Sequence, residues 1–295
     1  MDNTSNKHIQ LKSDRLSVEI AYPGTVYSGS RFDWNGFITG IVLDGKHSFC
    51  VPESPIPGQG SGGFGLCNEF GINTAVGYDD AKPGEKFPKL GTGLLTRPID
   101  ESDYFFFNKY EVTPFPVKIK NDDSTVVFEV EPIECNGYAV KMTKKISVED
   151  NKLFIDYRLE NVGSKPVITE EYCHNFFAVN NNKIGAGYLL RFPYDIKPDC
   201  VPDVMDIKDR EIRWNTVPSK DFKCSPQGFH NAKPHYWELL FEPDRAGIRE
   251  YSEFPVANVA IWGTTHVVSP EVFININIKP GETQEWTRKY EFFSY

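Results

Sequence analysis

Long apolar runs are missing from this sequence. Its opening, MDNTSNKHIQLKSDR, holds no apolar core of signal-peptide length. No stretch approaches the roughly 20 apolar residues of a membrane-spanning helix. Positive charge is also short: 32 Lys and Arg stand against 41 Asp and Glu, a net charge of −9. That sign argues against a general nucleic-acid surface and against an anionic membrane. The six cysteines (Cys50, Cys67, Cys135, Cys173, Cys200, Cys224) are scattered without a C-x-x-C pair, so free thiols are expected rather than a disulfide frame or a zinc site. With no HExxH spacing and no clustered carboxylates, a metal site is not expected. No G-x-S-x-G marks a serine nucleophile. Gly58, Gly60, Gly62, Gly63 and Gly65 are followed by no GK[ST], which excludes a phosphate loop. Helical periodicity is scarce as well, and 21 prolines break most candidate segments. The expected setting is the cytoplasm.

Aromatic residues are plentiful: 22 Phe, 14 Tyr and 5 Trp, side chains that suit pleated strands and that stack on sugars. Apolar residues alternate with polar ones at Val126, Phe128 and Val130, at Leu153, Ile155, Tyr157 and Leu159, and at Val272, Ile274, Ile276 and Ile278. A period of two marks strands with one buried face. Turn signals separate the runs at Glu149-Asp150-Asn151, at Asn161-Val162-Gly163-Ser164 and at Lys279-Pro280-Gly281-Glu282. Residues 52–66 read as a Pro/Gly-rich loop and 193–235 as loop-rich. Strand patterns continue on both sides of each, so 1–295 reads as a single all-β domain, a large antiparallel β-sandwich.

Residues 143–180, TKKISVEDNKLFIDYRLENVGSKPVITEEYCHNFFAVN, resemble the middle of aldose 1-epimerases and other galactose mutarotase-like proteins. In that family a strand ending in an Asn-x-Gly/Ser turn leads to one bearing a histidine followed by aromatics. The resemblance implies the family's supersandwich fold, a monosaccharide or sugar-derivative substrate, and His174 as general acid. Residues 256–286 carry a second likeness: a hydrophobic strand with Trp262, a glutamate-bearing segment at Ser269-Pro270-Glu271, and a closing turn at Lys279-Pro280-Gly281-Glu282. It implies Glu271 as general base, although here the proline precedes the glutamate. FPKLGTGLLTR (87–97) stands where the family has His-Gly-x-x-Arg. Gly93 and Arg97 fit that pattern, and Lys89 lies near the place of the absent histidine.

The implied reaction opens and recloses a hemiacetal. One group takes the anomeric proton, another protonates the ring oxygen, and no cofactor takes part. Histidine titrates near neutrality and a carboxylate serves as the base. Strand parity puts Glu170, Tyr172, His174 and Phe176 on one face. It also puts Glu271 with Phe273, Asn275 and Asn277, opposite the apolar even positions. Glu170 and Glu171 rival Glu271 as base. Asn68 and Glu69 follow the Gly-rich loop as candidate pocket residues, and His235 adjoins Tyr236 and Trp237. Arg31, Lys89 and Arg97 would together suit an acidic sugar. Each of these residues also has a plain structural fate, since strand histidines are mostly packing residues and surface charges are mostly solvated. A non-catalytic carbohydrate-binding module on the same fold, or a glycosidase or lyase, is the alternative. The oligomeric state is left open, a homodimer included.

Overall fold

A computed structural model describes residues 7–100 and 103–295. Among the described residues there is no α-helix, only two 3₁₀ turns, and no helix long and apolar enough to cross a membrane. All six cysteines are free thiols.

Two large antiparallel sheets form the body. The nine-stranded sheet runs in the order His8–Lys12, Leu16–Ala21, Phe37–Leu43, Leu66–Phe70, Val167–Asn175, Val267–Ile278, Asn258–Thr264, Phe222–Cys224, with His47–Ser48 added beside Phe37–Leu43. The ten-stranded sheet holds Lys152–Asn161 between Val140–Glu149 and Thr283–Ser294, and extends outward through Thr125–Val130 on one side and Ala246–Ser252 and His235–Phe241 on the other. The alternating apolar positions fall as parity requires. Val126, Phe128, Leu153, Ile155, Val272 and Ile274 all enter one core cluster shared by both sheets. The segment 193–235 is less bare than its composition suggests: Met205–Lys208, Glu211–Trp214 and Phe222–Cys224 join the edges of the large sheets.

The chain crosses between sheets at two of the turns visible in the sequence. Asn161 ends a strand of the ten-stranded sheet, and the next strand, Val167–Asn175, lies in the other. The turn at 279–282 makes the reverse crossing. One fully buried side chain ties the two together: Asn161 Nδ2 donates to the carbonyls of Lys165 and Ile278, each at 2.8 Å, and its Oδ1 accepts from the Gly163 amide at 3.0 Å. Amide side chains suit this task because they carry both donors and an acceptor.

Candidate functional site

The site lies on the face of the nine-stranded sheet that points away from the core. Three neighbouring strands build its floor. Tyr172 stands opposite Glu69 on one side and opposite Phe273 on the other. Two residues further along, the same faces bring His174 to Glu271, with Nε2 and Oε1 3.4 Å apart. Pro270 does not disturb the alternation, because Val267–Ile278 is one continuous strand. Tyr172 and Phe273 stack at 4.5 Å, and His174 stacks on Phe176 at 4.0 Å with the edge of Trp262 at 5.2 Å.

Loops close the sides. Residues 22–36 bring Arg31, 52–65 bring Glu53, and 103–110 bring Phe106 and Phe107. Together with Tyr172, His174, Trp262, Glu271, Asp221 and Lys223 they line a cleft of about 450 Å³. The Gly-rich loop reaches the histidine stack only because Gly63 has no side chain: a Cβ there would sit 2.2 Å from Phe176 Cε2. Glu53 fixes that loop by accepting from the Ser61 amide and hydroxyl and from the Gly63 amide.

Burial sets the charge states. Desolvation pushes the His174 imidazole well below its usual range, and the Arg31 and Lys223 cations add to the effect. Desolvation raises the Glu271 carboxyl to about 7, against the pull of Arg31, Lys223 and a hydrogen bond from Ser269 Oγ at 3.2 Å. In each case the uncharged form suits the site, as expected for groups removed from water. His174 Nδ1 is buried and makes no hydrogen bond among the described residues.

Behind this pair Glu69 gathers the charges. Its Oε2 accepts from Arg31 Nε at 2.9 Å and from the Tyr172 hydroxyl at 2.6 Å, while Lys89 Nζ stands 3.7 Å from Oε1. Arg31 also donates to Ser61 Oγ and to the Tyr172 hydroxyl. Burial opposes the Arg31 charge, but Tyr172 and Glu69 outweigh it and hold the guanidinium protonated. Burial lowers Lys89 to about 8, and its ammonium donates to the Tyr104 hydroxyl at 2.8 Å.

The fold therefore gathers Arg31, Glu69, Lys89, Tyr172, His174 and Glu271 into one cluster. It does not gather the other four candidates. Asn68 alternates with Glu69 and so faces the core, where it donates to Glu171 Oε1 and accepts from Lys144 Nζ, both at 2.8 Å. Glu170 shares the His174 face but lies at the far end of the strand, where its carboxylate caps the amides of Asn73 and Thr74. Arg97 leaves the cleft to bond the carbonyls of Tyr78 and Ala81. His235 belongs to the other sheet, beside Ser252 and Tyr194. Nor do Arg31, Lys89 and Arg97 make an anion site: the first two already face Glu69, and the third is elsewhere.

Glu171, the other rival base, is also turned inward. It accepts from Arg288 Nη2 at 2.7 Å, and Arg288 Nη1 donates to Glu250 at 2.8 Å. Beside them Lys144 donates to Asp33 Oδ2 at 3.1 Å and to the Asn35 carbonyl at 2.6 Å. This buried polar layer joins the two sheets beneath the site and anchors the loop that carries Arg31. Sequence reading missed it, along with the cleft residues Glu53, Phe106, Phe107, Asp221 and Lys223. The Phe105-Phe106-Phe107 run between polar residues was the one local signal available.

Solved structures resemble this architecture along its whole length. A galactose mutarotase related enzyme from Lactobacillus acidophilus superposes with a TM-score of 0.63 at 11% identity, covering 97% of both chains. A galactose mutarotase-like protein from Clostridium acetobutylicum gives 0.62 at 13%, covering 100% of this chain and 97% of the other. The chain has the galactose mutarotase-like fold. The GalM/aldose epimerase homologue of C. elegans shares it too, with a TM-score of 0.59 at 10% identity over 97% of this chain and 98% of that one. No protein-family model matches the chain, and no curated protein does. In this fold the cleft over His174 and Glu271 opens on the sheet face away from the core.

Proposed function

We propose that the cleft interconverts the anomers of a sugar, as an aldose 1-epimerase does, with His174 and Glu271 moving the protons. The observation that carries this reading is the pair itself. Two proton-transfer groups from neighbouring strands stand 3.4 Å apart at the floor of an aromatic-walled cleft, and one of them is held near neutrality. The anomeric and ring oxygens share one carbon, so two groups this close can serve both.

In the ring-opening direction the Glu271 carboxylate takes the proton from the anomeric hydroxyl, the C1–O1 bond becomes a carbonyl, and the C1–O5 bond breaks. His174 gives its proton to O5. After rotation about C1–C2, closure on the other face returns each proton. The pair begins and ends with one proton in total, and nothing is oxidised or reduced. Because burial disfavours charge on both groups, the resting proton sits on Glu271. The working tautomer differs from it by one transfer across the 3.4 Å gap. Arg31 and Tyr172, tied to Glu69 with Lys89 behind it, form the rigid polar wall that would hold the sugar hydroxyls.

Exchange NMR on glucose, galactose, a uronic acid and a hexose 6-phosphate tests this. Acceleration should fall by roughly 10²–10⁴-fold in His174→Ala and in Glu271→Gln. Sugar binding without acceleration in the unsubstituted protein would leave only a binding module.

A further inference from the structure

The cleft does not end at the His174–Glu271 pair. A second compartment of about 600 Å³ continues from it, and both share Glu53, Gly60, Asp221 and Trp262 as walls. The strand Asn258–Thr264 runs under both. Its even positions face the cleft: Ala260 packs under Tyr172 and Phe273, Trp262 divides the two spaces, and Thr264 lies in the second, about 7 Å further on by strand geometry. The first compartment already has room for one pyranose beside the acid–base pair, since pockets of roughly 300–1,000 Å³ take drug-sized ligands. The second is lined by small hydroxyl and amide groups, Ser54, Gln59, Thr264 and Thr265, with the Lys183 ammonium at its edge and the half-buried Trp262 indole as its wall. Among the described residues Gln59, Thr264 and Lys183 have no side-chain hydrogen-bond or ion-pair partner of their own. An aromatic wall beside polar groups with unused hydrogen-bonding capacity is the chemistry that binds a sugar ring: apolar C–H faces pack on the ring and hydroxyls find donors and acceptors.

We propose that the second compartment is a sugar subsite, so that the preferred substrate is a reducing disaccharide or longer oligosaccharide. Its reducing ring lies over His174 and Glu271, and its next ring packs against Trp262 and reaches Thr264, Gln59 and Lys183. This rests on the sugar-site reading of the first compartment.

Two measurements separate the ideas. Anomeric exchange is followed for glucose and galactose against cellobiose, maltose and lactose. Calorimetry compares methyl β-glucoside and methyl β-galactoside with methyl β-cellobioside and methyl β-lactoside, which bind but do not ring-open. At least one disaccharide should exceed its monosaccharide by about tenfold in kcat/KM, the value of one stacked ring at ~1.4 kcal/mol, and its methyl glycoside should bind correspondingly tighter. Thr264→Trp, which fills the compartment, and Lys183→Ala, at an exposed position outside the core, should each shrink that ratio. Disaccharides handled and bound no better than monosaccharides overturn the subsite and leave the His174–Glu271 reading standing. Tighter binding of methyl disaccharides with no exchange on any sugar supports the subsite and removes the catalytic reading. No binding of any sugar overturns both.

Discussion

Replacing Glu271 by glutamine should stabilise the protein at alkaline pH while removing its activity. The Glu271 carboxyl is buried and held at about 7 instead of 4.5. A group whose folded value is raised lends its stability at low pH and loses it as pH climbs through the folded value. The folded state therefore loses stability between about pH 4.5 and 7 and stays lower above that. At ~1.4 kcal/mol per tenfold change in proton affinity, the loss is about 3 kcal/mol. The glutamine side chain stays neutral throughout, and its carbonyl can still accept from Ser269 Oγ. Urea unfolding of both chains from pH 4 to pH 8.5 measures the effect. The stability of the variant minus that of the unsubstituted protein should rise by about 3 kcal/mol across the range, or roughly 6 °C in melting temperature at ~2 °C per kcal/mol. His174, whose depressed value costs stability as pH falls below 6.5, stands 3.4 Å from Glu271 and titrates with it, so the same comparison in a His174→Ala background isolates the carboxyl. A flat difference would mean that Glu271 ionises freely, which would refute the claim that burial sets its charge. Gain of stability on removal of a working group is the usual cost of a strained site.

Two further outcomes follow from the same geometry. If the singly protonated pair is the working form, the sugar-exchange rate, corrected for the spontaneous reaction, should fall as pH rises through about 7. A rate that climbs through pH 7 would show instead that neutral His174 donates while ionised Glu271 accepts. Lys144→Met should cost about 3–5 kcal/mol in urea unfolding, because Asp33 would be left buried and unpaired between the sheets. Loss of less than about 1 kcal/mol would mean that Asp33 takes up a proton there at little cost.

Strand identity was legible wherever one face is apolar and the other polar. The runs 126–130, 153–159 and 272–278 became strands of the large sheets, and the turns at 149–151, 161–164 and 279–282 connect strands as their Asn, Gly and Pro content requires. Parity also placed Tyr172, His174 and Phe176 on one face and Glu271 with Phe273. Candidates picked by proximity in sequence were misplaced. Asn68 follows the Gly-rich loop just as Glu69 does, yet neighbouring strand residues face opposite ways, and only Glu69 turns toward the site, where it holds the cleft residues Arg31 and Tyr172 from behind. Arg97 and His235 looked like site residues by type, but Arg97 is turned to the carbonyls of Tyr78 and Ala81, and His235 lies in the ten-stranded sheet.

The sequence by itself determined the local pattern: which segments are strands, which face of each is apolar, and where the chain turns. Those depend on interactions between residues a few positions apart. Only the tertiary structure decided which strands are neighbours, that Glu69, His174 and Glu271 share a floor, and that loops 22–36, 52–65 and 103–110 wall it. It also decided the charge states, because desolvation and the cations of Arg31 and Lys223 act through space. Pairings between residues far apart along the chain leave no periodic trace in it.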